Sequence, residues 1–270
     1  MKSKKKQIIF GVLFIVLAIL VFLFFYSEFY TASGIKKIGG VKKNGGVSQF
    51  KNNNVSGGKA VKSTTKKFKF STWNNFCFLT QISNGLLGLW ALIVGISKIF
   101  NLKKLEKKVT HPLIVCSLST LLFFVGIVVF GSFVSGVYRL QVWTNKYFVI
   151  SNLRDLFYHI VTPIIGVLIA VFLNDDRKLK YKNSILFLIL PLTYSIVTFI
   201  RGKFILKTWY PYFIFDSHKV WNILKLGDYN QTLACLLVLF IMGLIAVFYF
   251  FLGELVIKIR NSRVDKLSAQ

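Results

Sequence analysis

Six long apolar runs dominate this sequence of 270 residues. A helix needs about 20 residues to cross a hydrocarbon core of about 30 Å, and each run has roughly that length. The runs cover residues 8–26, 73–100, 111–138, 153–173, 183–200 and 231–259. The composition agrees, since 54% of the residues are hydrophobic and the mean hydropathy is +0.61. We therefore predict an all-α, polytopic integral membrane protein with six transmembrane helices, located in the cell membrane.

The chain is strongly basic, with 35 Lys and Arg against 9 Asp and Glu and a net charge of +26. In a soluble protein such a charge would favour nucleic acid as a partner. Here the cations lie between the apolar runs, where they act as topology signals and contact anionic headgroups. We predict membrane lipid as the environment, anionic headgroups at the basic loops, and no nucleic-acid partner.

Basic residues also indicate which side of the membrane each loop occupies. The two termini and the loops after the second and fourth runs are rich in Lys and Arg, whereas residues 139–152 hold only Arg139 and Lys146. The positive-inside rule then places both termini in the cytoplasm. We assign residues 1–26 to a basic tail and an uncleaved first span, because the run exceeds the roughly 7 to 15 residues of a cleavable signal.

The remaining boundaries follow from composition. Residues 27–70 carry ten lysines among Gly, Asn and Ser, and we predict a disordered extracytoplasmic loop, because long loops cross despite their charge. Residues 71–259 form the five-helix remainder that carries the candidate site. Residues 260–270 are predicted to be a basic cytoplasmic tail.

Polar side chains at the start of the second run are unusual for a helix that faces lipid. They are Thr80, Gln81, Ser83 and Asn84. Thr80 lies about 10 Å inside the outer face at 1.5 Å per residue, and His159 of the fourth run lies about 9 Å inside the same face. An intramembrane histidine tends to face the bundle interior or a wet cavity. The equal depth favours a shared polar site, but the sequence alone does not show whether the two helices touch.

Three side chains of this region suit acyl transfer. A hydroxyl needs a neighbouring base to become a nucleophile, so Thr80 and His159 are candidates for nucleophile and base. Asp155 precedes His159 by four residues, on the same helical face, and could orient its ring. Pro163 removes the partner of the His159 carbonyl, so a kink there could open room for a ligand. Taken alone, however, Thr80 would more often be a helix-packing residue.

The loop after the fifth run is a second polar feature at the same face. Arg201 precedes it, and Tyr210 and Tyr212 form an aromatic patch within it. A substrate mouth and an interfacial anchor are equally consistent with this pattern. The sequence has no GxSxG, HExxH, Walker or CxxC motif, so nothing supports a classical serine hydrolase, a zincin, an NTPase or a redox protein. No metal or cofactor is implied.

Three segments together resemble the androgen-induced-protein and androgen-dependent TFPI-regulating-protein family, particularly its bacterial six-span relatives. They are FLTQISN at residues 78–84, HIVTP at residues 159–163 and RGKFILKTWYPYFIFD at residues 201–216. The likeness covers residues 73–249, and the lysine-rich insert of residues 27–70 is longer than expected for the family. The resemblance implies hydrolysis of fatty acid esters of hydroxy fatty acids, with Thr80 as nucleophile and His159 as base.

The sequence therefore favours an intramembrane threonine hydrolase acting on a lipid-like ester. Gln81, Ser83, Asn84, Arg201, Tyr210 and Tyr212 are the candidate substrate-binding residues. Two alternatives remain open. A small-solute transporter would need ionisable groups that continue towards the cytoplasm, where Glu254 is the one candidate in the spans. A non-catalytic membrane scaffold would tolerate changes at Thr80 and His159.

Overall fold

The computed structural model of the chain describes residues 2–37, 78–134, 153–173, 177–202 and 215–268. Regular structure within these residues is entirely helical. Six helical segments among them are long and apolar enough to cross a membrane, which confirms the predicted all-α class and the six spans. Large apolar side chains such as Phe130, Leu239 and Phe240 are exposed on the outside, as a lipid-facing surface requires.

The helices follow the predicted runs with adjusted ends. The first three spans are α1 (Lys2–Lys37), α2 (Leu79–Ile99) and α4 (Pro112–Val134), with the short α3 (Lys103–Val109) before α4. The fourth span, Leu153–Phe172, contains a π-helical turn (Phe157–Val161) followed by α5 (Thr162–Phe172). The fifth comprises a 3-10 turn (Tyr181–Asn183), α6 (Ser184–Phe187) and α7 (Ile189–Ile200), and α8 (Ser217–Ile223) precedes the sixth span, α9 (Gln231–Ser268).

The first helix reaches into residues 27–70, the segment predicted to be a disordered loop. The helix α1 continues to Lys37 instead of ending with the apolar run. No proline interrupts this stretch, and adding a residue to an existing helix is far easier than starting a new one. The rest of the predicted loop lies outside the described residues.

Residues 260–268 of the segment predicted as a basic tail are helical, because α9 runs on to Ser268. Its 38 residues make a helix of about 57 Å, well beyond the thickness of the hydrocarbon core. Arg260 is only 1% exposed and donates from Nη1 to the carbonyl oxygen of Ala170 at 2.9 Å. Arg263 donates to the carbonyl oxygen of Val171. The two arginines therefore belong to the bundle.

These two arginines bind the end of α5 for a simple electrostatic reason. The last carbonyl groups of a helix have no partner within it, and they carry a partial negative charge. Guanidinium groups from α9 supply donors and positive charge at that end. The fourth and sixth spans are thus joined where α5 terminates.

The fifth span is broken because of Pro191. A proline has no N–H, and its ring clashes with the carbonyl group four residues earlier, which here belongs to Phe187. Next to this break, the backbone N–H of Leu188 donates to the carbonyl oxygen of Ile185, three residues back, at 3.2 Å. This turn is tighter than that of an α-helix. Phe187 is fully buried against Gly253 of α9, so α6 joins the bundle core.

The first two spans pack antiparallel and very closely. Gly11 of α1 lies against Gly95 and Ile99 of α2, and farther along α1 Val21 lies against Gly88. A Cβ added at Gly95 would lie 2.8 Å from the Gly11 carbonyl oxygen. Small residues allow the two backbones to approach each other closely. In lipid, the van der Waals contacts made by such packing drive helix association in place of the hydrophobic effect.

The fourth span packs on α4 in the same manner. The Ser119 hydroxyl donates to the Gly166 carbonyl oxygen at 2.6 Å. A Cβ added at Gly126 would lie 2.9 Å from the Pro163 ring and 3.3 Å from the His159 carbonyl oxygen. The space expected beside the Pro163 kink is therefore filled by α4 and holds no ligand on that side.

We predict that Gly95→Ala destabilises the protein by about 1 to 3 kcal/mol, because the new methyl group would overlap Ile15 and the α1 backbone. Thermal unfolding of the purified protein in detergent measures the effect.

The matched control is Gly243→Ala, since an added Cβ there meets nothing within 4 Å. This change should leave the unfolding temperature nearly unaltered. Equal unfolding temperatures for the two variants would contradict the close packing of α1 on α2.

Candidate functional site

The polar start of α2 is buried. Thr80 and Gln81 are 8% and 9% exposed, and Ser83 and Asn84 are fully buried. These side chains therefore face neighbouring helices instead of lipid. In a membrane, buried polar groups of this kind join helices or contact a ligand.

Asn84 is the described link between the second and fourth spans. Its Nδ2 donates to the carbonyl oxygens of Thr80 at 2.9 Å and Tyr158 at 3.5 Å. Both partners are acceptors, so the amide must present its NH₂ group to them. Its Oδ1 is buried and has no hydrogen-bond partner among the described residues. The second and fourth spans thus meet at Asn84, with an open acceptor at the contact.

The first span also reaches this contact. The Tyr158 side chain is 1% exposed, and its hydroxyl donates to the Val21 carbonyl oxygen at 3.1 Å. Phe24 stacks on Phe157 with ring centroids 4.7 Å apart. Three spans therefore converge around Asn84 and Tyr158.

His159 occupies the middle of the π-helical turn. Pro163 has no N–H for the His159 carbonyl, and the Thr162 N–H bonds to Phe157, five residues back. Single π-helical turns are frequent at functional sites because they change the direction of one side chain. The ring of His159 is half-buried, and its Nδ1 is buried without a hydrogen-bond partner in the part of the chain described.

No hydrogen bond joins Asp155 to His159 in the described residues, although the carboxylate is near enough to act on the ring electrostatically. The Asp155 carboxylate accepts from Arg154 Nη2 at 3.1 Å and Nε at 3.3 Å. A hydrogen bond to a guanidinium joins two opposite charges and is stronger than one to a neutral imidazole. The orienting role expected of Asp155 is therefore not seen in this structure.

Thr80 and His159 lie on two helices that meet, but no hydrogen bond joins these two side chains in the described residues. The link between their helices falls at Asn84, one turn after Thr80. The Thr80 carbonyl oxygen receives the Ser83 hydroxyl at 3.0 Å as well as the Asn84 amide. Ser83 thus uses its proton on its own helix, which disfavours it as a substrate donor.

The remaining predicted binding residues are Arg201, Tyr210 and Tyr212. Arg201 follows the end of α7, whose Leu192, Ile196 and Val197 are exposed. The spans α4 and α9 pack on α6 instead of α7. Tyr210 and Tyr212 lie outside the described residues.

Below the polar contact the bundle is closed. A space of about 170 Å³ between the second, third and fourth spans leaves no room for a water molecule. Its lining, mostly apolar, consists of Leu87, Trp90, Val115, Leu118, Ser119, Gly166 and Ile169. Polar groups around Asn84 therefore do not continue through this space.

Sequence reasoning missed the buried Arg260 because the surrounding tail is basic. A signal was nevertheless present. Buried positions on α9 recur as Tyr249, Leu252, Val256, Arg260 and Val264, at spacings of three or four residues. An arginine on that stripe should have been placed in the bundle.

We predict that Tyr158→Phe lowers the free energy of unfolding by about 1 kcal/mol, the usual contribution of one buried hydrogen bond. The change removes the donor to Val21 and leaves the ring packing in place. Unfolding in detergent, with the exposed Tyr181→Phe as control, measures the difference. An equal stability for both variants would show that the hydroxyl does not hold the first span.

No family model, no curated protein and no solved structure was found to match this chain. The family suggested by the sequence motifs therefore remains a prediction, and the site has to be interpreted from its own residues.

Proposed function

We propose that the protein is an intramembrane hydrolase of a lipid-like ester, with Thr80 as nucleophile and His159 as base. One observation carries the proposal: Gln81 Oε1, Asn84 Oδ1 and His159 Nδ1 are all buried without a partner among the described residues. A polar group left unpaired in a membrane interior costs several kcal/mol. A polar ligand held between the second and fourth spans would remove that cost.

The chemistry proposed uses only this chain and water. Thr80 Oγ1 attacks the ester carbonyl while His159 accepts the hydroxyl proton. The tetrahedral intermediate collapses, and His159 returns the proton to the departing alcohol. Water then attacks the acyl-threonine through the same base, which releases the fatty acid and restores the hydroxyl. The two helices are linked at Asn84, one turn after Thr80. The Thr80 and His159 side chains would therefore have to move closer together for the proton transfer.

The hydrogen bonds of Asn84 limit its part in the proposed mechanism. Its NH₂ group is already bound to two carbonyl oxygens, so it is not available to an oxyanion. Gln81 is then the better donor, a role that contributes a few kcal/mol where the donor is prealigned. The open oxygen of Asn84 favours a substrate that also carries a hydroxyl group.

The closed space below Asn84 favours this proposal over a transporter. A transport path would need polar groups along the whole span, whereas the space that follows is mostly apolar and too small for water. The buried Arg260 lies at the far end, where it binds the end of α5. An enzyme that acts on lipid from one leaflet needs no such path.

We also propose that both termini are cytoplasmic and that the site lies on the outer side of the cell membrane. Support comes from the basic residues at the ends and in two loops, together with the even number of spans. In this orientation an ester in the outer leaflet could enter between helices without leaving the bilayer.

We expect Thr80→Ala and His159→Ala each to lower the rate of long-chain ester hydrolysis by about a hundredfold or more, the usual effect of losing a nucleophile or base. Release of fatty acid from a hydroxyl-bearing ester by the purified protein measures the rate. A fluorophosphonate probe should label the protein and should not label Thr80→Ala.

Two variants serve as matched controls. Thr198→Ala removes another buried threonine. His218→Ala removes a histidine that stacks on Tyr229 and belongs to neither the second nor the fourth span. Both should keep full activity. Full activity in Thr80→Ala or His159→Ala would overturn the mechanism and favour a scaffold.

The proposed orientation predicts the behaviour of reporter fusions. Alkaline phosphatase, which needs an extracytoplasmic location, should be active when fused after Gly202 and inactive when fused after Gln270. Green fluorescent protein at the C terminus should fluoresce. Activity of phosphatase at the C terminus would reverse the orientation.

A further inference from the structure

A groove at the far end of the sixth span has no role in the proposed hydrolysis. It has a volume of about 500 Å³ and lies where the end of α5 meets α9. Lys258, Arg263 and Lys266 line it together with Ser262. Its lining holds three cations and no carboxylate, so the groove is complementary to a negative charge.

The carboxylates nearby do not alter this balance. Asp265 pairs with Lys178, an ion pair whose side chains are more than half exposed. Glu254 lies one turn before Lys258 and does not line the groove. Lys258 and Lys266 are exposed, and neither pairs with a carboxylate in the described residues. Their ammonium groups are available to a ligand.

Arg263 is held in place before any ligand arrives. Its guanidinium donates to the Val171 carbonyl oxygen and lies 4.4 Å above the Phe172 ring. The group has five N–H donors in a rigid plane, and such a plane suits two phosphate oxygens at once. A prealigned arginine loses little entropy when it binds phosphate.

The other side of the groove is apolar. Val171, Leu255 and Ile259 form it, and all three lie nearer the bilayer centre than Lys266 along their helices. Along α9, Leu255 lies below Lys258, and Arg263 and Lys266 lie above Ile259, so the deeper end is apolar and the outer end is cationic, as in a phospholipid. An inorganic phosphate would use the cations alone and would gain nothing from the apolar side.

We propose that this groove is a binding site for an anionic phospholipid, with the headgroup phosphate between Lys258, Arg263 and Lys266. The acyl chains lie along Leu255 and Ile259. Bound lipid would bridge α9 to the end of α5 and thereby tighten the junction that the two arginines of α9 already form.

Titration of the full-length protein in neutral detergent micelles tests the site. Phosphatidylglycerol should raise the unfolding temperature, and phosphatidylcholine at equal concentration should not. The double variant Lys258→Ala/Lys266→Ala should bind phosphatidylglycerol with an affinity about tenfold or more lower. The reason is that each lysine near an anionic headgroup contributes to the binding affinity by nearly that factor.

The control is Lys103→Ala/Lys104→Ala, which removes two exposed lysines from α3, outside the groove. It should keep the wild-type affinity. An equal loss in both double variants would overturn the proposal in favour of diffuse attraction by the basic surface. Equal stabilisation by inorganic phosphate would overturn it in favour of a simple anion site.

Discussion

The packing of the molecule depends on the close approach of α1 and α2 at their glycines. Lipid is as apolar as leucine, so two helices associate in it only where their backbones come near enough for many contacts. Gly11 and Gly95 allow that approach at one end. At the other end the same pairing holds Val21 where its carbonyl oxygen receives Tyr158. This bond ties the fourth span, and with it His159, to the first span, while α4 supplies most of its packing.

Buried polar groups lie at both ends of the bundle, around Arg260 and around Asn84. Arg260 is a buried charge whose donors meet the open carbonyl groups at the end of α5, so it serves the fold. Around Asn84 and His159 polar atoms are left open within the described residues. Membrane proteins tolerate such groups where they contact ligands or substrates.

Several features of the site could be predicted from the sequence because they depend on position along a helix. The polar residues at the start of α2 had to avoid lipid, and they are buried. Pro163 had to disturb its helix, and a π-helical turn precedes it. The orientation of Asp155 could not be predicted, since spacing places two residues on one face without deciding which charge each meets. Its neighbour Arg154 competes for it.

By itself the sequence determined the membrane class, the six spans and the segments where polarity interrupts them, because hydrophobic length and composition are local properties. Only the tertiary structure decided which polar groups pair with one another. It joined Asn84 to Tyr158 and Arg260 to Ala170 across long sequence separations. Such partners depend on helix register and rotation, and these are set by close packing at glycines instead of by any single helix.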